Sequence, residues 1–250
     1  MSDLLEQARS RDWFYGYELP DGSRLPTWHQ GELDAIHDTR WQMVSDCLAG
    51  EFSEGLEGRS AIDLACHQGW FALRLAQEGL DKVHGVDARA SHIADSRLMA
   101  DILGLSQAAF EQGDVFELDT DAAGTYDIVL MLGLLYHLEN PVGAMRIARA
   151  LCRRVCLIET QVVPGMSGMV DYGSYEYVRP LKGSFGVIDE TDDTHGPEAS
   201  VTGICLVPST EVLLWILRKV GFSRCEVLPP PADAYEQLRH GKRVLVAAWV

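Results

Sequence analysis

The stretch AIDLACHQGW, residues 61–70, opens as a buried β-strand and closes as a turn into a helix. Turns of this kind that cradle a nucleotide carry two or three glycines, and this one has only Gly69. Its surroundings give it a context. Residues 82–87, 110–113, 126–132 and 155–159 read as further short strands, with helical spacing over 70–78, 90–103 and 141–151 between them. Continuous apolar strands alternating with helices imply a parallel sheet covered on both faces.

A helix over 209–220 stopped by Gly221, a strand over 225–228, a Pro229-Pro-Pro231 break and a strand over 243–249 follow. The last two strands are expected to be antiparallel neighbours. The fold class is therefore α/β, a Rossmann-like sheet of seven mostly parallel strands with helices on both faces. Residues 1–59, rich in tryptophan (Trp13, Trp28, Trp41), read as an N-terminal cap segment on a 60–250 domain. Alternation stops over 165–205, an insertion after strand five that holds aromatics and the acidic run from Asp189 to Asp193. So long a stretch without period points to function or disorder.

With 250 residues and 47% hydrophobic content the chain can bury a substantial core. No apolar run is long enough for a membrane span and no leader is evident at the start, so a cytoplasmic protein without a membrane partner is expected. The six cysteines form no CxxC pair and read as reduced core thiols. A formal charge of −16 repels polyanions and argues against nucleic acid as partner.

In open α/β sheets ligands sit at the carboxyl ends of the strands, which puts the loop after residue 64 in the right place. Cys66, His67 and Gln68 stand where a dinucleotide fold would have glycines, so a pyrophosphate is a poor match and an NAD-dependent enzyme a distant reading. A cofactor without phosphates needs less: a close backbone approach at Gly69, a small residue at Ala65, and Asp63 to orient the loop or hold an ammonium. S-adenosylmethionine is such a cofactor. Asp87, ending strand two, can accept both ribose hydroxyls, and Asp114 can accept from the adenine amino group while Val115 covers the ring. No metal ligand set is expected, because adjacent acids without a turn glycine read as a solvated loop.

The block from Asp63 to Glu159 resembles a class I S-adenosylmethionine-dependent methyltransferase. Within that superfamily, YDIVLMLGLLYHLENPVGAMRIARALCRRVCLIET and the entry segment WFYGYELPDGSRLP are similar to the branch containing the tRNA wobble-uridine (carboxy)methyltransferases. The resemblance implies that Tyr136 faces the cofactor's methionine end and that Leu132 and Gly133 lie beside the transferring methyl. It also implies that Arg243 matches an arginine which, in carboxymethyl-transferring members, meets the cofactor carboxylate. Arg40 could reach the methionine carboxylate from the cap. If the acceptor needs a base, His137 and His195 are the candidates, since imidazole titrates near neutrality.

The leading reading is methyl transfer to an oxygen or nitrogen of a small organic molecule, seated between the first sixty residues and the insertion. A tRNA methyltransferase and a binding module that keeps the cofactor without chemistry stand as alternatives.

Overall fold

A computed structural model describes residues 2–170, 179–190, 200 and 202–250. Its centre is a seven-stranded sheet formed by β1 (Ser60–Leu64), β2 (Lys82–Asp87), β3 (Ala108–Gln112), β4 (Tyr126–Leu132), β5 (Cys152–Gln161), β10 (Arg224–Val227) and β11 (Arg243–Trp249). The order is β3-β2-β1-β4-β5-β11-β10. The first five strands are parallel, and β11 runs antiparallel to both β5 and β10; its pairing with β10 is the one expected from the sequence.

Eight helices accompany these strands among the described residues. They are α1 (Ser2–Arg9), α2 (Asp34–Glu51), α3 (Trp70–Gln77), α4 (Ala90–Leu103), α5 (Thr120–Ala123), α6 (Pro141–Leu151), α7 (Thr210–Val220) and α8 (Glu236–Arg239). None is long and apolar enough to cross a membrane.

The apolar strands are continuous because each face of the sheet has its own core. Ile128 and Leu130 of β4 pack with α3 and α4, whereas Val129 and Met131 pack with α6 and α7 on the other side. Trp13, Tyr15, Leu25, Val44 and Leu48 of the N-terminal segment belong to the α3–α4 core. Trp13 is fully buried, its indole N–H donating to the Ala8 carbonyl at 2.7 Å, whereas Trp28 is 56% exposed.

The insertion holds more regular structure than its sequence suggests. β6 (Met169–Val170) pairs with β7 (Arg179–Pro180), and β8 (Phe185–Asp189) pairs antiparallel with β9 (Ile204–Pro208). β8 is half-exposed to exposed throughout, so it lacks the in–out alternation by which strands are recognised.

One side chain ties the N-terminal segment to the sheet. Gln68, 4% exposed, accepts from the Phe14 amide at 2.8 Å and donates to the Asp12 carbonyl and the Asp95 carboxylate, both at 2.9 Å. Its own carbonyl accepts from the Tyr17 hydroxyl at 2.6 Å. Gln68→Ala would strand a backbone donor and a backbone acceptor, so a loss of about 2–4 kcal/mol is expected in urea unfolding. An unchanged midpoint would show that the segment is held by apolar packing alone.

Candidate active site

The loop between β1 and α3 takes a left-handed backbone at every second residue: φ is 61° at Ala65, 51° at His67 and 82° at Gly69. The glycine-like positions are therefore 65, 67 and 69, which corrects the placing of Cys66 and Gln68 among them. The αL region costs a residue with a Cβ roughly 1–2 kcal/mol. Three hydrogen bonds hold the turn: Cys66 N to Val86 O at 2.9 Å, Gly69 N to Cys66 O at 2.8 Å, and His67 N to Asp87 Oδ2 at 2.9 Å.

Gly69 itself does not reach the cleft beside this loop. A Cβ there would lie 2.8 Å from Ser96 Oγ and 2.9 Å from the Phe110 ring, so its glycine serves the turn and the packing of α3 rather than a close approach to a ligand.

The cleft opens at the carboxyl ends of β1, β2 and β4 and has a volume of about 1500 Å³. Ala65, Asp87, Asp114, Val115, Leu132 and Tyr136 line it, as do Arg40, His137 and Arg243. Asp63 does not. It is buried beneath the loop, where it accepts a hydrogen bond from the Ala72 amide while its Oδ2 has no partner among the described residues. Burial, with the charge of Asp87 added, pushes its carboxyl up to about 7.

Asp87 is also buried, and burial alone would raise it. Hydrogen bonds from His92 Nδ1 at 3.1 Å and from the Arg89 amide at 2.9 Å outweigh that effect and hold it below the ordinary carboxylate range. Asp114 is exposed at the end of β3 and accepts from the Phe116 amide at 2.9 Å.

The other end of the cleft is a buried charge cluster centred on Glu159, which is fully buried and which the sequence marks only as a strand end. Arg40 Nη2 lies 2.9 Å from Glu159 Oε2 as an ion pair without hydrogen-bond alignment, and Arg243 Nη1 donates to Oε1 at 3.1 Å. Arg243 also donates to Gln237 at 2.7 Å and sits 4.7 Å from the centre of the Tyr136 ring. A Cβ on Gly133 would lie 3.4 Å from the Tyr136 hydroxyl and 3.8 Å from Arg40 Nη2, so these groups converge on one point. Two guanidinium groups on one carboxylate leave a net positive charge.

His137 Nδ1 lies 2.6 Å from Glu190 Oε2. Glu190, 3% exposed, also accepts from the Ser200 amide at 2.9 Å and from Cys205 Sγ at 3.3 Å. Burial would raise its carboxyl, but the hydrogen bond from His137 leads the interactions that hold it low. The acidic run is thus no uniform solvated loop: its second member is inside. His195 lies outside the described residues. His37 also lines the cleft and was not anticipated as a site residue.

Residues 56–174 match a family described as a methyltransferase domain. That stretch is similar to methyltransferase domains and makes up just under half of the chain. It is 25% identical over 230 residues to a tRNA U34 carboxymethyltransferase of Idiomarina loihiensis, covering 86% of this chain and 62% of that protein. It is 32% identical over 121 residues to a ubiquinone biosynthesis O-methyltransferase of Bordetella avium, covering 48% and 47%. The chain thus spans about half to three-fifths of the length of these relatives.

Among solved structures, the N-terminal domain of EvdMO1 with SAH bound aligns over 100% of this chain and 96% of its own, with a TM-score of 0.73 and 18% identity. The residues lining the cleft fit S-adenosylmethionine, the cofactor that the sequence resemblance implies, on two observations. Asp87 and Asp114 stand at successive strand ends, and the Arg40–Glu159–Arg243 cluster carries a spare positive charge at the far end.

The raised pKa of Asp63 predicts a pH effect with a definite sign. Between its unfolded value near 4 and its folded value of about 7, the native state holds a proton that the unfolded state has lost, so stability falls as pH rises through that window. Asparagine carries no such charge and keeps an oxygen for the Ala72 amide. The melting-temperature advantage of Asp63→Asn over the parent should therefore be larger at pH 8 than at pH 5. An advantage independent of pH would show that Asp63 does not titrate there.

Proposed function

We propose that the protein is an S-adenosylmethionine-dependent methyltransferase that acts on an oxygen or nitrogen of a small organic acceptor. The observation that carries this reading is one cleft with two chemically distinct ends, carboxylates at Asp87 and Asp114 and a net cation at Arg40–Glu159–Arg243. When bound, the cofactor supplies an electrophilic sulfonium methyl group. The chain's task is then to hold an acceptor in line with that methyl and to keep water away.

Two walls suit an acceptor. Phe14 and Trp28 lie with ring centres 5.8 Å apart and line the cleft from the N-terminal segment, while Leu138, Ser200 and Thr202 line it from the insertion side. His137 is the proposed base. A carboxylate on Nδ1 places the proton there and makes Nε2 the basic atom of the ring, so Glu190 orients the imidazole for taking a proton from a hydroxyl or amine.

An oxygen acceptor on a ring or sugar is supported by two similar proteins: the ubiquinone biosynthesis O-methyltransferase, and an EvdMO1 domain crystallised in the presence of SAH and D-fucose. A cytoplasmic location is in keeping with six free cysteines, five of them buried.

A second reading, a tRNA wobble-uridine-type enzyme, is favoured by the relative that covers the larger share of the chain. Binding to tRNA would weaken steeply with salt, whereas binding of a neutral acceptor would not. In calorimetry with S-adenosylhomocysteine, Asp87→Asn is expected to weaken binding about tenfold, on the order of 1.4 kcal/mol, and Asp114→Ala to weaken it with an unchanged circular dichroism spectrum. Unchanged affinity in both variants would reject the cofactor assignment. Tight, salt-sensitive binding of tRNA to the parent protein would replace the small acceptor by the second reading.

A further inference from the structure

α2 presents a second residue to the cleft one turn before Arg40. His37 is 2% exposed, and neither of its ring nitrogens has a hydrogen-bond partner among the described residues. Its ring packs against Tyr15 at 4.6 Å, Phe14 at 4.9 Å and Trp70 at 6.2 Å between centres. An imidazole always carries at least one N–H donor, and buried donors in native proteins are almost always paired. A side chain that lines a cleft with its polar atoms unmet is matched to something that enters the cleft.

The surroundings say what kind of group that is. Burial first, and then Arg40, His29, His67 and Arg243, hold His37 well below the ordinary histidine range. The ring is therefore neutral, and it is a poor general base because its protonated form is disfavoured by every one of those groups. Its use is hydrogen bonding, and in a positive field the complementary partner is an anionic oxygen. Arg40, three residues on and so on the same helix face, lines the same part of the cleft with its Nε unpartnered. S-adenosylmethionine has a single anionic group, the carboxylate of its amino-acid end, and its adenosine end belongs with Asp87 and Asp114.

We propose that His37 is an additional cofactor-positioning residue, donating an imidazole N–H to the amino-acid carboxylate of S-adenosylmethionine beside Arg40. The inference rests on the methyltransferase reading above. Its consequence is that α2, through His37 and Arg40 together, sets the depth at which the sulfur sits relative to Leu132 and Gly133.

The test compares two probes on the full chain by calorimetry: S-adenosylhomocysteine, and 5′-methylthioadenosine, which keeps the nucleoside thioether but lacks the carboxylate and ammonium. His37→Leu should weaken S-adenosylhomocysteine about tenfold or more and leave 5′-methylthioadenosine within about twofold, while His37→Asn, which keeps a donor, recovers part of the loss. Equal weakening of both probes, or no weakening of either, would overturn the inference and leave the methyltransferase reading standing. A parent protein that binds neither probe would overturn both. If His37→Leu does not fold, nitrogen-15 spectra of histidine-labelled parent protein decide the matter. A His37 imidazole signal that moves with S-adenosylhomocysteine and not with 5′-methylthioadenosine supports the assignment, and equal movement with both refutes it.

Discussion

The left-handed backbone at Ala65, His67 and Gly69 is the constraint on which the site depends. It turns the chain from β1 into α3 tightly enough to leave the strand ends open. With glycines the conformation would be nearly free; with alanine and histidine it has to be held. The holding groups also build the cleft. Asp87, whose carboxylate accepts the His67 amide, lines it; His92, stacked on His67 at 3.8 Å, bonds that same carboxylate; and Gln68 pins the segment carrying Phe14 over the opening. Loss of glycine and gain of the N-terminal segment are thus two aspects of one arrangement. The segment stabilises a turn that the loop's own residues disfavour.

Burial of charge sorts the cleft into ends. Asp87 keeps its charge because three donors aim at it, whereas Asp63, on the neighbouring strand, has one and is pushed toward neutrality. Glu159 is flanked by two guanidinium groups, accepting a hydrogen bond from Arg243 and forming an ion pair with Arg40. An ion cluster this deep contributes little net stability, since desolvation offsets most of the attraction. Its evident yield is a fixed position for two guanidinium groups around Gly133.

Much of the sheet was legible in the sequence, because strands buried on both faces read as continuous apolar runs and each ended in a residue of different character. Asp87 and Asp114 could be found for the same reason: position at a strand end is a one-dimensional property. His37 and Glu190 could not. His37 matters because its nitrogens lack partners, and Glu190 because Ser200, Cys205 and His137 converge on it; partners and their absence are set by tertiary packing. The register of the loop was missed because backbone sign, rather than residue size, defines it. Ala65 and His67 look unlike glycine and behave as glycines do.

The charge of −16 also reads differently once residues have places. By itself it argues against any polyanion. Yet Glu190 is buried and hydrogen-bonded, so it adds little to the field outside. Among the described residues the cleft itself is lined by four arginines and five carboxylates, close to balance. Long-range repulsion slows the approach of an anion, but recognition at the cleft follows the local groups. The surplus negative charge therefore belongs to the rest of the surface and bears on encounter rather than on fit. The proposed preference for a compact acceptor therefore rests on the Phe14–Trp28 wall and on His137 beside Glu190, groups suited to one ring bearing a hydroxyl or amine.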